Sequence, residues 1–129
     1  CIAAARQLDL LTTPYVFNVD EASRMTQAGA DIVVAHMGLT TKGAIGAQTA
    51  KTLQQSAAEV QSIVDVCKSE RSDVIVICHG GPIATPEDAT FIFDNTEGVD
   101  GFYGASSMER LPTEVAITDT VREFTELKL

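Results

Sequence analysis

Two short and almost uninterrupted apolar runs constrain the fold of this chain more than any other feature. The first spans Asp31 to Met37 and the second spans Asp73 to Cys78, and a histidine and a glycine lie at or just after the end of each. Strands with apolar residues at consecutive positions are typical of parallel sheets, which are covered on both faces. The chain is therefore predicted to consist of βα units around a parallel sheet.

Capping signals predict where the helices between these strands begin. Asn18, Thr52 and Thr85 are each followed three residues later by an acid or an amide, which is the pattern of a helix N-cap. They start helices predicted over 20–27, from Thr52 onward, and from Thr85 to about residue 93. The middle helix is the clearest, because its apolar residues fall on one stripe: Leu53, Ala57, Val60, Ile63, Val64 and Cys67.

The two ends of the chain complete the alternation of strands and helices. Residues 10–17 form an apolar and β-branched run, and residues 99–103 form a short last strand. The last helix is predicted over 113–127, with an inward face made by Val115, Ala116, Thr120, Val121 and Phe124. The order βαβαβαβα indicates an α/β fold with parallel strands and right-handed crossovers.

Four βα units correspond to half of a (β/α)8 barrel, and a flavodoxin-like doubly wound sheet is the structural alternative. Successive strands that end in Gly80-Gly81 and in the segment 104–107 favour the barrel, because the last two loops of such barrels hold phosphate. An open four-stranded parallel sheet leaves two edges and an uncovered inner face. We therefore expect the chain to self-associate or to pair with a missing N-terminal half barrel.

Two histidines are the first candidates for catalysis. His36 and His79 each lie at the end of an apolar strand and just before a glycine. In a barrel, the carboxyl ends of the strands are where the chemistry takes place. An imidazole there can exchange protons near neutral pH or, when neutral, ligate a metal. Alternatively, each ring only hydrogen-bonds the backbone of its own loop.

Small residues in two loops are the candidates for anion binding. The predicted cradle consists of Gly80, Gly81, Gly104, Ala105, Ser106 and Ser107. Glycine lets the backbone approach a ligand closely, and the serine hydroxyls add hydrogen-bond donors. Tight turning between strand and helix is the alternative, for which glycine is equally suited.

Charged and hydroxylated side chains nearby are further candidates. Arg110 could clamp a carboxylate or a phosphate and Glu109 could act as a general acid or base, or the two could pair with each other and with the rim of the barrel. Thr40 and Thr41 lie on the glycine-bearing loop 39–46, which suits either a closing lid over an anion or an ordinary exposed loop.

The remaining polar residues divide between the two ends of the strands. Asn18 is predicted to cap a helix and secondarily to contact the ligand, and Tyr103 either points its hydroxyl towards the ligand or packs in its strand. Asp31, Asp73 and Asp100 precede or open their strands, which places them at the opposite end of the sheet. Mg²⁺ needs convergent carboxylates, so its ligands are expected mainly from outside these four units.

Composition narrows the class of partner. The chain has 18 acidic and 9 basic residues, for a formal net charge of −9, which disfavours nucleic acid and anionic membrane surfaces. A small anionic ligand can still bind through local N–H groups. The three cysteines lack the spacing of a metal site and indicate reduced thiols in a cytoplasmic protein. No apolar run reaches the roughly 18 residues of a membrane span.

Five blocks of sequence carry a more specific signal. They are Thr13-Pro-Tyr-Val-Phe-Asn18, Ala28-Gly-Ala-Asp31, Ala35-His-Met-Gly-Leu-Thr-Thr41, Cys78-His-Gly-Gly-Pro-Ile83 and Gly101-Phe-Tyr-Gly-Ala-Ser-Ser-Met-Glu-Arg-Leu-Pro112. Together these blocks resemble the phosphoenolpyruvate hydrolase-like TIM-barrel family over essentially the whole chain.

The resemblance implies an organisation and an activity. It implies that residues 1–129 are the C-terminal half of the barrel, with strands five to eight. The pattern of residues 1–8 is itself typical of the end of a preceding helix. It also implies hydrolysis of phosphoenolpyruvate or phosphonopyruvate by the complete barrel, with this half inactive alone and any Mg²⁺ held mainly by the other half. A regulatory or protein-interaction barrel without catalysis is the alternative.

Overall fold

The computed structural model describes residues 1–44, 46 and 51–127. After a short first helix, strands and helices alternate four times, as the sequence predicts. The elements are α1 (Ile2–Gln7), β1 (Tyr15–Val16), α2 (Val19–Gln27), β2 (Ile32–His36), α3 (Leu53–Glu70), β3 (Ile75–His79), α4 (Pro86–Asp94), β4 (Gly101–Phe102) and α5 (Arg110–Thr125).

The four strands form one parallel sheet in the order β1-β2-β3-β4. Each new strand is therefore added on the same side of the previous one, and the order never reverses. A doubly wound sheet needs such a reversal, at which its helices change face. The strictly sequential order excludes the flavodoxin-like alternative and confirms the half-barrel arrangement.

The hydrophobic core lies on one face of this sheet, which we call the outer face. Its strand residues Val33, Ala35, Val76 and Cys78 have no exposed surface. The helices α2, α3 and α4 cover them with side chains that belong to the same cluster: Ala22, Ala57, Val60, Ile63, Val64, Cys67, Ala89 and Ile92. The stripe predicted for the longest helix is thus confirmed, with Leu53 partly buried at its beginning.

The predicted caps start the helices that cover the outer face. Thr52 and Thr85 each form a complete capping box with the residue three positions later. Asn18 Oδ1 accepts a hydrogen bond from the Glu21 N–H at 2.9 Å. The Glu21 carboxylate, however, accepts from the Phe17 N–H rather than from the N–H of Asn18 itself. The Asn18 half of the capping box at α2 is therefore normal, whereas the Glu21 half bonds the residue before the N-cap.

The opposite face of the sheet, the inner face, has no helix over it among the described residues. Tyr15, Val34 and Ile77 stand side by side across three strands, and Gly101 follows them in β4. Ile75 is 44% exposed and Tyr15 is 42% exposed, although such large side chains are usually buried on the face of a parallel sheet. Parallel sheets are normally covered on both faces, so the exposed inner face departs from the usual arrangement.

The last βα unit departs from the prediction. β4 contains two residues instead of the five predicted over 99–103, and α5 begins at Arg110, earlier than residue 113. The side chains predicted to face inward are all exposed: Val115, Ala116, Thr120, Val121 and Phe124. That prediction is wrong, because α5 does not pack along β4. An apolar cavity of ≈ 570 Å³ lies beside β4 instead, between Phe102 and Phe93 of α4.

No helix of the described residues is long and apolar enough to span a membrane.

Candidate functional site

The carboxyl ends of the four strands form one edge of the sheet, which we call the mouth. His36 ends β2 and His79 ends β3, and the two residues are paired in register. Their ring centroids are 4.9 Å apart, with the ring planes inclined by 71°. The structure thus brings the two predicted catalytic histidines together on the inner face.

The hydrogen bond made by His36 fixes where its proton lies. Its Nδ1 accepts the Gly38 N–H at 3.0 Å, so the neutral ring carries its hydrogen on Nε2. Burial lowers the pKa of His36, and the neighbouring His79 and Lys51 lower it further. The ring is therefore a neutral Nε2–H donor at physiological pH.

His79 has the opposite arrangement. Its Nδ1 lies 2.6 Å from the carbonyl oxygen of Tyr103, and a carbonyl oxygen can only accept a hydrogen bond. Nδ1 therefore carries a hydrogen, and in the neutral ring Nε2 has the lone pair. The side chain is 9% exposed, which fixes the orientation of the ring. The loop contact holds Nδ1 alone.

Aromatic rings surround the histidine pair. Tyr15 stacks on His79 with centroids 5.1 Å apart and an angle of 14°, and its edge meets His36 at 4.9 Å. Phe17 contacts His36 at 4.8 Å, and Tyr103 contacts His79 at 5.8 Å. Sequence reasoning named Tyr103 but missed Tyr15 and Phe17. Their spacing of two residues was the available signal, because it places both on one face of a strand.

Gly80 and Gly81 hold two loops of the mouth against each other. Their φ angles are +74° and +60°, and the Gly81 N–H donates to the Gly38 carbonyl at 2.7 Å. A Cβ at Gly80 would lie 2.4 Å from that same oxygen. Both glycines are therefore required by tight turning and close approach. The Gly81 N–H already has a partner, so a cradle here would depend on other donors.

The second predicted half of the cradle is a turn that leads into α5. The Ala105 carbonyl accepts the N–H groups of Met108 and Glu109, and the Ser106 carbonyl accepts from Leu111. Gly104 lies against the side chain of Met108. Ser107 lines the apolar cavity beside β4. The structure thus gives the segment 104–107 a local structural role, and its anion binding stays a prediction.

Arg110 is paired at the rim of the mouth with a residue that sequence reasoning did not name. Its Nη1 lies 2.8 Å from Glu114, and its Nη2 donates to the Lys42 carbonyl at 3.1 Å. The hydrogen bonds from Arg110 and from the Ala44 N–H lower the pKa of Glu114. Glu109 is exposed and does not pair with Arg110. Of the two roles considered for Arg110, the structure thus shows pairing within the rim of the mouth.

The described part of the predicted lid, loop 39–46, contacts α4 through the Lys42 side chain and α5 through the Lys42 carbonyl and the Ala44 N–H. Lys42 forms an ion pair of 2.6 Å with Asp88 in the first turn of α4. Burial would raise the pKa of Asp88, but the hydrogen bonds from Lys42 and from the α4 cap outweigh it and lower that pKa. Thr40 and Thr41 are half-buried beside this tether. The loop 39–46 extends beyond the described residues at position 45.

The donors at the mouth do not form a magnesium site by themselves. No three His, Cys, Asp or Glu side chains come together to hold a metal ion in the part of the chain that the structure describes. The two imidazoles offer nitrogen donors, whereas Mg²⁺ prefers oxygen ligands. Asp31 and Asp100 lie at the other end of the strands, where they bond Thr12 and Lys68.

Comparison with known sequences identifies the family. The family model described as phosphoenolpyruvate hydrolase-like matches residues 1–127. The chain belongs to the phosphoenolpyruvate hydrolase-like family. The resemblance found from the five sequence blocks is thereby confirmed.

Two tomato proteins and one bacterial protein are similar to this member of the phosphoenolpyruvate hydrolase-like family. The ToMV resistance protein Tm-1 of Solanum lycopersicum is 57% identical over 99% of this chain, and the ToMV susceptible protein tm-1 is 56% identical over the same share. A putative transcriptional regulatory protein of Sinorhizobium fredii is 28% identical over 95% of the chain. The chain spans 17% of the length of each tomato protein and 20% of the bacterial one.

Solved structures support the fold. N-acetylmannosamine-6-phosphate 2-epimerase from Clostridium perfringens matches 94% of this chain with a TM-score of 0.57 and 17% identity. Thiamine phosphate pyrophosphorylase from Pyrococcus furiosus matches 98% with a TM-score of 0.56 and 20% identity. The matches cover 47% and 56% of those proteins, respectively. At this identity the likeness concerns the fold alone, and it fits four βα units of a (β/α)8 barrel.

Proposed function

We propose that this chain is the C-terminal half of a (β/α)8 barrel that binds a small phosphorylated or carboxylated ligand at its mouth. The observation that carries the proposal is the pair formed by His36 and His79, side by side on the inner face and 4.9 Å apart between centroids. One half-buried and one buried imidazole at neighbouring strand ends stand where barrel enzymes place their reacting groups. The family description supports a ligand of the phosphoenolpyruvate type.

The form of the mouth supports a ligand that is small and flat. Tyr15 and Phe17 flank the histidines, and Gly80 and Gly81 add no side chains of their own. Aromatic walls with a few polar groups are typical of small-molecule sites. Arg110 and the segment 104–107 stand at the rim, where they would meet the charged end of the ligand after Arg110 exchanges Glu114 for the anion.

Four further βα units would complete the site. In this proposal they cover Ile75 and Tyr15, pair with β1 and β4, and supply the carboxylates that hydrolysis with Mg²⁺ requires. Self-association of this chain is the second way to cover the inner face. The structural neighbours, which are about twice as long as this chain, support the first of these arrangements.

A ligand titration tests the proposal. The complete polypeptide that carries residues 1–129 is titrated with phosphoenolpyruvate and phosphonopyruvate, with and without Mg²⁺, by calorimetry and by NMR assay of the products. We expect binding that the double substitution His36→Ala/His79→Ala abolishes. Arg122→Ala is the matched control, since Arg122 lies on exposed α5 and pairs with Asp119. Absence of both binding and turnover would refute the enzyme hypothesis.

A regulatory domain that retains the barrel is the second candidate. The names of the relatives favour it, since two refer to virus resistance or susceptibility and one to transcriptional regulation. On this hypothesis the mouth binds its ligand without turnover, or the complete polypeptide binds another protein. Binding of phosphoenolpyruvate with no product over a prolonged incubation would favour this candidate over the enzyme.

A further inference from the structure

The two histidines at the mouth are held in opposite tautomers by different backbone groups. The Gly38 N–H can only donate, so it requires the lone pair of His36 Nδ1. The Tyr103 carbonyl can only accept, so it requires the hydrogen of His79 Nδ1. Because both contacts are with the main chain, the tautomers follow from the positions of the loops.

The consequence is a donor and an acceptor that stand next to each other. Both Nδ1 atoms are used by the loops, so each ring presents Nε2 on its other edge. Neither Nε2 atom has a hydrogen-bond partner within residues 1–44, 46 and 51–127. His36 thus offers an N–H and His79 offers a lone pair, in register on one face of the sheet. Two such groups 4.9 Å apart between centroids can address neighbouring atoms of one small molecule.

We propose that the pair recognises a 2-oxo acid with a hydrogen on the carbon next to its carbonyl, and that it interconverts the keto and enol forms of this compound. His36 Nε2–H donates to the carbonyl oxygen, and His79 Nε2 accepts the proton of the neighbouring carbon. This inference rests on the proposed function, because it concerns the same mouth and the same carboxylated ligand.

The proton transfer balances without a further reactant. The C–H bond breaks, its proton moves to His79 Nε2, and its electron pair forms the C=C bond of the enolate. The π electrons of the carbonyl move to the oxygen, where the His36 N–H stabilises the negative charge. Return of the proton to carbon restores the ketone and the neutral His79. Exchange with solvent while His79 is protonated replaces the original hydrogen.

Tyr15 is the positioning residue of the pair. Its ring lies parallel to that of His79, with centroids 5.1 Å apart, and its edge meets His36. The ring therefore restricts rotation of both imidazoles, and nothing in this role requires the hydroxyl group. Tyr15→Phe should retain the rate of exchange, whereas Tyr15→Ala should lower it.

The tautomers can be measured without any ligand. Long-range ¹H–¹⁵N correlation spectra of the histidine-labelled chain assign the protonated nitrogen of each neutral ring. We expect the hydrogen on Nε2 in His36 and on Nδ1 in His79. Tyr103→Phe is the matched control, because it keeps the carbonyl that His79 bonds and should leave both tautomers unchanged. The same tautomer at both positions would overturn the inference, whatever the protein binds.

Hydrogen exchange tests the reaction. The complete polypeptide is incubated in D₂O with phosphonopyruvate or pyruvate, and loss of the signal from the carbon next to the carbonyl is followed by ¹H NMR. His79→Gln should slow exchange by about 100-fold or more while binding persists, since loss of a general base has an effect of that order. His36→Gln, which keeps an N–H donor, should retain more activity than His36→Ala.

The outcomes separate this inference from the proposed function. Binding of phosphonopyruvate without exchange above the background would refute the keto–enol chemistry and leave ligand binding in place. Absence of binding would refute the proposed function together with the inference that rests on it. Exchange that persists in His79→Gln would assign the base to another residue and would also refute the inference.

Discussion

The two faces of this sheet are built from the same strands and differ in their cover and in the groups they carry, although Val34 on the inner face is as buried as the residues of the outer face. On the outer face, Val33, Ala35, Val76 and Cys78 are fully buried under three capped helices. The inner face carries Tyr15 and Ile75 with more than two fifths of their surface exposed. On the outer face, burial raises the pKa of Cys78 to about 11. The inner face carries both histidines.

This difference separates the hydrophobic core from the candidate site along each strand. Since successive side chains of a strand point to opposite faces, one strand supplies core residues and site residues in turn. Cys78 faces the helices, and the next residue, His79, ends the inner face. We therefore expect substitutions on the outer face to act on folding and substitutions on the inner face to act on binding or on assembly.

The largest effect is expected from a matched pair of isoleucines. Ile63 in α3 is 1% exposed, and its truncation to Ala should lower the free energy of unfolding by about 2–5 kcal/mol. Ile75→Ala on the inner face should lower it by less than about 1 kcal/mol in the isolated chain. Urea unfolding followed by circular dichroism measures both.

The same pair shows whether the inner face becomes covered. In the complete polypeptide, or in a self-associated form of this chain, Ile75→Ala should become nearly as destabilising as Ile63→Ala. Equal effects of the two substitutions in a proven monomer of this chain would contradict the contrast between the two faces.

A second pair concerns the glycines at the mouth. Gly81 has a φ of +60°, and a Cβ there would lie 2.5 Å from the Met37 carbonyl oxygen. Gly81→Ala should therefore lower the free energy of unfolding by about 1–3 kcal/mol through backbone strain. At Gly104 the added Cβ would meet only the flexible Met108 side chain, so Gly104→Ala should change stability little. Thermal unfolding of both variants provides the comparison, and equal losses would contradict it.

A third pair compares a packed helix with an unpacked one. Thr85 caps α4 through its side chain, and Thr85→Ala should lower the free energy of unfolding by about 1 kcal/mol. Glu109 precedes α5 without a side-chain cap, and α5 has no buried residue. Glu109→Ala should leave global stability unchanged while it tests the catalytic role predicted for this residue. A global loss from Glu109→Ala would show that α5 is part of the cooperative core.

The smallest expected effect is a dependence of the free energy of unfolding on pH, which arises from His36 on the inner face. Burial lowers the pKa of His36 below its ordinary value of 6.5, so the unfolded chain binds this proton more readily than the folded chain. The stabilising contribution is present above pH 6.5 and is lost as the pH falls towards the lowered folded value. The chain should therefore lose stability relative to His36→Gln over this window. Parallel unfolding curves of the two at each pH would contradict the shift.

The sequence was sufficient to predict those parts of the fold that are encoded locally. Asn18, Thr52 and Thr85 cap helices because each side chain meets a backbone N–H three residues away. The apolar runs predicted β2 and β3 because buried parallel strands carry apolar residues on both faces. The adjacency of His36 and His79 then followed from the parallel order of neighbouring strands.

Features that depend on distant partners were harder to predict. The apolar pattern of α5 indicates a face that needs burial, but it does not say whether the partner lies within the chain, and Val115 and Phe124 are exposed. Tyr15 was missed because an apolar run hides which of its residues face the inner side. The pairing of Arg110 with Glu114 had a local signal, their spacing of four residues.

The two edge strands, β1 and β4, limit how a further strand could pair with this sheet. β1 and β4 contain two residues each, so their backbones offer few hydrogen bonds to a further strand, and they are poor templates for indiscriminate strand addition. In the proposed assembly, recognition of a completing unit would therefore come mainly from the side chains of the inner face. On the proposed function, selection of the second half and recognition of the ligand would depend on one surface, and Tyr15 would take part in both.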